Sequence, residues 1–265
     1  MSRSESYAHT IRKALTRTTA RESNTNARHK RCTVFGCTNE TQAFAGKGLS
    51  QTFCTSHVRH LARHGTAHRG SYRAAELKPY LWAAHRWLKE NKANSLVTRI
   101  EFAFEAMMDG AGKPEIATRM IRADAKRKAK NMLAVMRVRG VKPNRLMGIV
   151  LATHAILRDD QSFSHRGTEF LRVQAARQAH RLAARFTPAG MEGKKSAPGV
   201  KLKWGHESFP YSAGLAMREL GRLLDEIGGH LADRALNPIL ELKAQRFGHH
   251  ASRPAFEDVR LSANV

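Results

Sequence analysis

Cys32-x4-Cys37-x16-Cys54-x2-His57 is the feature that most restricts how this chain can fold. All three cysteines of the 265 residues lie between positions 32 and 54. The intervening stretch is polar and rich in Gly and Thr, with too few large apolar residues to fold around a core of its own. Three thiolates and an imidazole form a set that zinc binds tetrahedrally. Two short ligand pairs separated by a loop are how one small segment delivers such a set. Three cysteines cannot all pair as intramolecular disulfides, and nothing local marks one thiol as a nucleophile. The spacing therefore predicts Zn2+ on Cys32, Cys37 and Cys54, with His57 favoured as fourth ligand and His60 or His64 close enough to substitute.

Gly36-Cys37, Cys54-Thr55-Ser56-His57, Arg59 and Arg63-His64-Gly65 carry a further signal. With them, residues 31–65 resemble a small zinc-binding module of phage and mobile-element proteins, also found beside HNH-type homing endonuclease domains. Two departures stand out: four inserted residues separate Gly48-Leu49 from Cys54, and Val58 replaces the usual aromatic. The likeness implies a metal-held knuckle used on nucleic acid, and a phage, plasmid or integrative-element origin. It covers about 35 of the 265 residues, so it identifies a module and not the whole chain.

Charge points to the same kind of partner. Lys and Arg total 46 against 22 Asp and Glu, a formal net charge of +24. Solubility needs only a few units, and a larger excess costs compact-state stability unless an anionic partner neutralises it. Nucleic acid, DNA ahead of RNA, is the expected partner, because each phosphate contact releases a condensed counterion. Arg59, Arg63, His64 and Arg69 are the expected contacts beside the metal. A membrane partner is not expected. No run approaches the ~20 apolar residues of a spanning helix, and the basic N-terminus is followed by no apolar segment. A reducing, cytoplasmic setting suits zinc thiolates, although the acid-poor, Ser/Thr-rich start also resembles an organellar transit peptide in composition.

The organisation expected is mainly α, a small loop-rich zinc module followed by an all-helical body. Residues 1–30 read as a basic flexible arm with a short helix near 7–18, and 31–70 as the metal module. A helical domain follows over 71–186, then a linker over 187–210 and a C-terminal helical segment over 211–265. Ala, Leu, Met, Arg and Lys dominate the body, and their periodicity predicts helices at 74–91, 97–108, 115–139, 143–159, 167–186, 212–236 and 239–246. Pro114 and Pro143 suit first-turn positions. On the 115–139 helix, Arg119, Arg122, Lys126 and Lys130 recur at steps of three and four, and Asp124 is the single acid between 119 and 139. That stripe is the second expected phosphate-contacting face.

Catalytic constellations are sparse. Asp159-Asp160 reads as a helix end, since helical neighbours point about 100° apart. His154 reads as a half-buried core histidine, Trp204 as a loop anchor ahead of His206-Glu207, and His249-His250 as tail residues. Two other functions stay open: a metal-dependent nuclease or recombination factor targeted by the zinc module, and an adaptor that binds a protein partner through its helical body.

Overall fold

The computed structural model describes residues 30–115, 120, 122–160, 167–183 and 214–248. The basic arm at 1–29, Arg119, the loop at 187–210 with Trp204, and His249-His250 lie outside the described residues. Seven helices form among those described: α1 (Thr55–His64), α2 (Ala74–Glu90), α3 (Ser95–Asp109), α4 (Ala125–Val138), α5 (Pro143–Asp159), α6 (Thr168–Ala183) and α7 (Leu215–Phe247). No strand forms among them, only an isolated antiparallel bridge between Arg31 and Glu40. The protein is mainly α, as its composition and periodicity predict. The described residues fall into two units, one of 30–62 and 66–70, the other of 63–65 and 71–248.

The larger unit is built around α5 and α7. Pro143 opens α5, where its missing N–H leaves no donor unsatisfied. Every residue from Leu146 to Leu157 except His154 is buried, so this helix is apolar on all sides and must be surrounded. It packs against α2, α3, α6 and α7, and α7 packs against all of α2–α6. Tyr72, Tyr80, Phe104 and Phe170 are fully buried in the resulting core. Side chains of this kind contribute about 1.5–3 kcal/mol each on leaving water.

Two helix assignments differ from the sequence expectation. Of the expected 115–139 helix, α4 covers Ala125–Val138, with Asp124 capping it by accepting the Arg127 N–H at 2.7 Å, while 116–119 and 121 lie outside the described residues. Upstream, the buried Asn131 clasps the backbone of Glu115. Its side-chain oxygen accepts from the Glu115 N–H at 2.7 Å and its amide donates to the Glu115 carbonyl at 3.0 Å. That clasp holds Glu115 against α4. The far end of α4 closes with a double bond pattern, Gly140 N–H to Arg137 carbonyl (2.8 Å) and Val141 N–H to Met136 carbonyl (2.9 Å). The turn needs the left-handed φ of +68° at Gly140.

The second difference is at Asn237-Pro238, where a break was expected. α7 instead runs through it for 33 residues. Pro238 removes one backbone bond, but Leu231, Ala232, Ala235, Ile239 and Lys243 are buried on both sides of it. Burial of that continuous face outweighs the local loss.

Candidate metal centre and basic surface

The loop 31–54 is wired by its own backbone before any metal is considered. Cys37 N–H donates to the Val34 carbonyl at 3.0 Å, and the tight turn between them places Gly36 at φ +71°. A turn with left-handed backbone at its third residue favours glycine there. Cys32 N–H donates to the Asn39 carbonyl at 2.9 Å, so Cys32 and Cys37 stand at the two ends of one short reversal. The four inserted residues are integral to this frame. The carbonyls of Ser50, Thr52 and Phe53 accept from Ala43, Thr33 and Gln42 at 2.9 Å each. Cys54 then leads directly into α1, which carries His57 in its first turn.

The result is convergence. The ligand atoms of Cys32, Cys37, Cys54 and His57 all lie within 4.8 Å of one another. His57 Nδ1 is 3.3 Å from Cys32 Sγ and 3.2 Å from Cys54 Sγ. Cys37 Sγ and Cys54 Sγ are 3.9 Å apart, far beyond the ~2.05 Å of a disulfide. Tetrahedral bonds of about 2.3 Å to sulfur and 2.0 Å to nitrogen place ligands roughly 3.5–3.8 Å from each other. The four groups therefore fit a Cys3His metal ion. His60 and His64, the alternatives by spacing, are occupied elsewhere: His60 Nδ1 lies 2.9 Å from the Thr66 carbonyl, and Ser71 N–H donates to His64 Nδ1 at 3.2 Å.

The thiols differ in their surroundings. Burial pushes the Cys32 thiol above its ordinary range, partly offset by the N–H groups of Cys54 and Val34. Burial also works against ionisation at Cys54, but the His57 N–H, the Cys37 side chain and the Ser56 N–H outweigh it and bring that thiol down. N–H groups aimed at sulfur stabilise thiolate, the form a metal requires. Around the cluster only Cys32, Val34, Cys54 and Ala67 are buried apolar residues, with Cys37, Phe53 and Leu61 packed against them. A polar cleft of about 420 Å³ beside Cys54 is lined by Glu40 as well as Lys47, so it has no single sign of charge.

The basic residues singled out by sequence are placed as follows. Arg59 and Arg63 are exposed, one turn apart on α1. His64 is half-buried against Ser71, and Arg69 is buried at 8% exposure. Lys126 and Lys130 are exposed on α4, while Arg122 precedes the Asp124 cap and is off the helix. Arg127, between them, is already paired with Glu115 at 2.7 Å. Asp159 and Asp160 form a helix terminus, as expected, and His154 Nε2 pairs with Asp225 at 3.0 Å.

Two features were not singled out by sequence. Phe35, inside the first cysteine pair, is 79% exposed. Arg177 and Arg181, four residues apart on α6, sit near Arg63, whose carbonyl accepts from Arg177 Nη1 at 3.4 Å. The available signal was that α6 carries no acid after Glu169. No helix among the described residues is long and apolar enough to cross a membrane. No protein-family model, curated protein or solved structure matches this chain, so the likeness of residues 31–65 to a known zinc module stands on their spacing alone.

Proposed function

We propose that this is a zinc-stabilised nucleic-acid-binding protein, with DNA its preferred partner. The observation that carries this reading is the convergence of Cys32, Cys37, Cys54 and His57 in a segment dominated by basic residues. Three thiolates and one imidazole suit Zn2+ in a tetrahedral site. Four protein ligands leave no position for a reacting water, so the ion holds the fold and is not a catalyst. The rigid knob presents Arg59 and Arg63 on one helical face, and residues 30–70 carry a single acid, Glu40. Lys126 and Lys130 are a second, separate pair of exposed cations, on α4. The likeness to modules of phage and mobile-element proteins supports the same reading. These side chains contact phosphate, which sets affinity and makes it salt-dependent without reading sequence.

The test combines elemental analysis of the purified protein with salt-dependent gel shifts on DNA and RNA. One zinc per chain is expected, lost in Cys54→Ala together with most of the binding. A full zinc equivalent retained in that variant overturns the ligand assignment. Binding to neither nucleic acid at low salt overturns the function.

A further inference from the structure

Among the described residues, seven cations of the helical unit are held in ion pairs with acids. Arg86 pairs with Glu90, Arg127 with Glu115, Arg137 with Asp109, Arg172 with Asp225, Arg218 with Glu169, Arg222 with Glu219 and Glu226, and Lys243 with Asp159. The C-terminal half of α6 carries none of these pairs and instead gathers arginines. Residues 63–65 lie along this helix. The Arg63 carbonyl accepts from Arg177 at 3.4 Å, and the His64 carbonyl accepts from the Gln174 amide at 3.3 Å. Gly65 meets the backbone of Glu169 and Phe170 so closely that an added Cβ would lie 2.8 Å from the Glu169 carbonyl oxygen. This antiparallel run fixes Arg63 beside Arg177. Arg181 stands one turn further along and donates to the Gln178 amide oxygen at 3.0 Å. Arg139 reaches in from the end of α4 and donates to the Leu182 carbonyl at 2.9 Å.

We propose that Arg63, Arg177, Arg181 and Arg139 form a phosphate-binding patch on the helical unit that takes the phosphodiester backbone of nucleic acid. The patch rests on the nucleic-acid reading above and extends the contact surface to residues outside the metal segment. Among the described residues, Arg63, Arg177 and Arg181 form no ion pair with an acid, and the acceptors named for Arg177, Arg181 and Arg139 are neutral amide oxygens. Helix dipole alone does not balance them, since a helix C-terminus offers only about half a negative charge. Glu169, the one acid of α6, lies about 12 Å along the helix axis from Arg177 and is paired with Arg218. Burial and the nearby Arg181 and Arg63 charges make the Arg177 guanidinium easier to deprotonate than usual, as crowding of like charge requires. The planar guanidinium groups of Arg177 and Arg181, each held through one nitrogen by an amide oxygen, suit bidentate phosphate contacts.

Fluorescence anisotropy on a short labelled duplex and its single strand, over a range of salt, tests the patch. Arg177→Gln/Arg181→Gln is compared with Lys78→Gln/Lys89→Gln, which removes the same net charge from exposed positions of α2. Each duplex phosphate contact contributes about 0.9 to the slope of log affinity against log salt. The arginine pair is expected to lower that slope by about 2, and the lysine pair by much less. Because Arg177 is half-buried, the exposed Arg181→Gln alone is the second variant, with an expected loss of about 1. Thermal unfolding of each variant confirms that it folds. Slopes equal to those of the lysine control overturn the patch while leaving the nucleic-acid reading intact. Wild-type protein that binds neither strand overturns both.

Discussion

Lys243 Nζ lies 2.7 Å from Asp159 Oδ2, with the lysine side chain only 4% exposed and the aspartate 23%. The same carboxylate oxygen accepts from the Tyr80 hydroxyl at 2.6 Å, and the ammonium sits 4.9 Å from the centre of the Tyr80 ring. Burial first, then the hydrogen bond to the Asp159 carboxylate and its negative charge, hold the Tyr80 hydroxyl firmly protonated. α2, α5 and α7 are joined at this point. The two charges are not equivalent, because the lysine has no water to fall back on. Asp159→Asn strands a buried cation and is expected to cost about 3–5 kcal/mol. Lys243→Met leaves a carboxylate that keeps Tyr80 and some solvent, so it is expected to cost less. Urea denaturation of the two variants and the double replacement checks the order. Equal costs would show that the pair is not held as described.

Among the described glycines, Gly221 lies closest to the backbone of another helix. A Cβ there would lie 2.1 Å from the Arg172 carbonyl oxygen and 2.5 Å from its carbon. Backbone cannot rotate away as a side chain can, so Gly221→Ala must push α6 and α7 apart. Ordinary helix propensity would favour alanine by about 1 kcal/mol. Overpacking typically costs 1–3 kcal/mol, and a clash with backbone at 2.1 Å belongs at the upper end, so a net loss of about 2 kcal/mol is expected. A variant as stable as wild type by denaturant midpoint would contradict this helix pairing.

The metal ligands were legible because their chemistry is local: two short pairs and one loop supply all four. Choosing His57 over His60 and His64 required structure, since only structure shows the other two bonded to Thr66 and Ser71. Helix α5 was legible to the residue, with Pro143 at its start and Asp159 at its end. What escaped was set by distant partners. The start of α4 is set by the Asp124 cap, and Asn131 holds Glu115 beside it, where periodicity read one helix over 115–139. Continuity across Pro238 depends on core positions beyond it. Lys243 reads as a surface lysine until Asp159, 84 residues earlier, is placed beside it. The arginine patch on α6 likewise needs residues 63–65 laid along that helix.

Metal removal should act on one unit. The small cluster of Cys32, Val34, Cys54 and Ala67 is far too small to order the segment alone. On the zinc reading, folding free energy there comes from coordination, which for structural zinc amounts to about 10–16 kcal/mol. A strong chelator is therefore expected to expose backbone amides of 30–62 to hydrogen exchange, while α5 and α7 stay protected. Unchanged protection over 30–62 after complete chelation would show that the module folds without its ion.

Acid should weaken the helical unit through His85 and His180. Burial lowers the affinity of His85 for a proton, and the neighbouring Arg145 adds to this. Burial acts first at His180 too, followed by the Arg177 charge. With both folded values below the ordinary 6.5, the unfolded chain binds more protons in the window beneath that pH. Stability then rises with pH through the window and is fully present above 6.5. As pH falls, each ring must be charged inside the core beside an arginine, and the contribution is lost. Urea midpoints on either side of that window, read from helical content in a Cys54→Ala background, separate this effect from protonation of the metal ligands. His85→Gln and His180→Gln should each flatten the dependence, and the pair together should flatten it most. A slope untouched by both substitutions would place the acid sensitivity elsewhere, with the Asp225 carboxylate next in line. Its folded value is lowered because bonds from His154 and Arg172 outweigh burial, so its contribution would fade only below about 3.8.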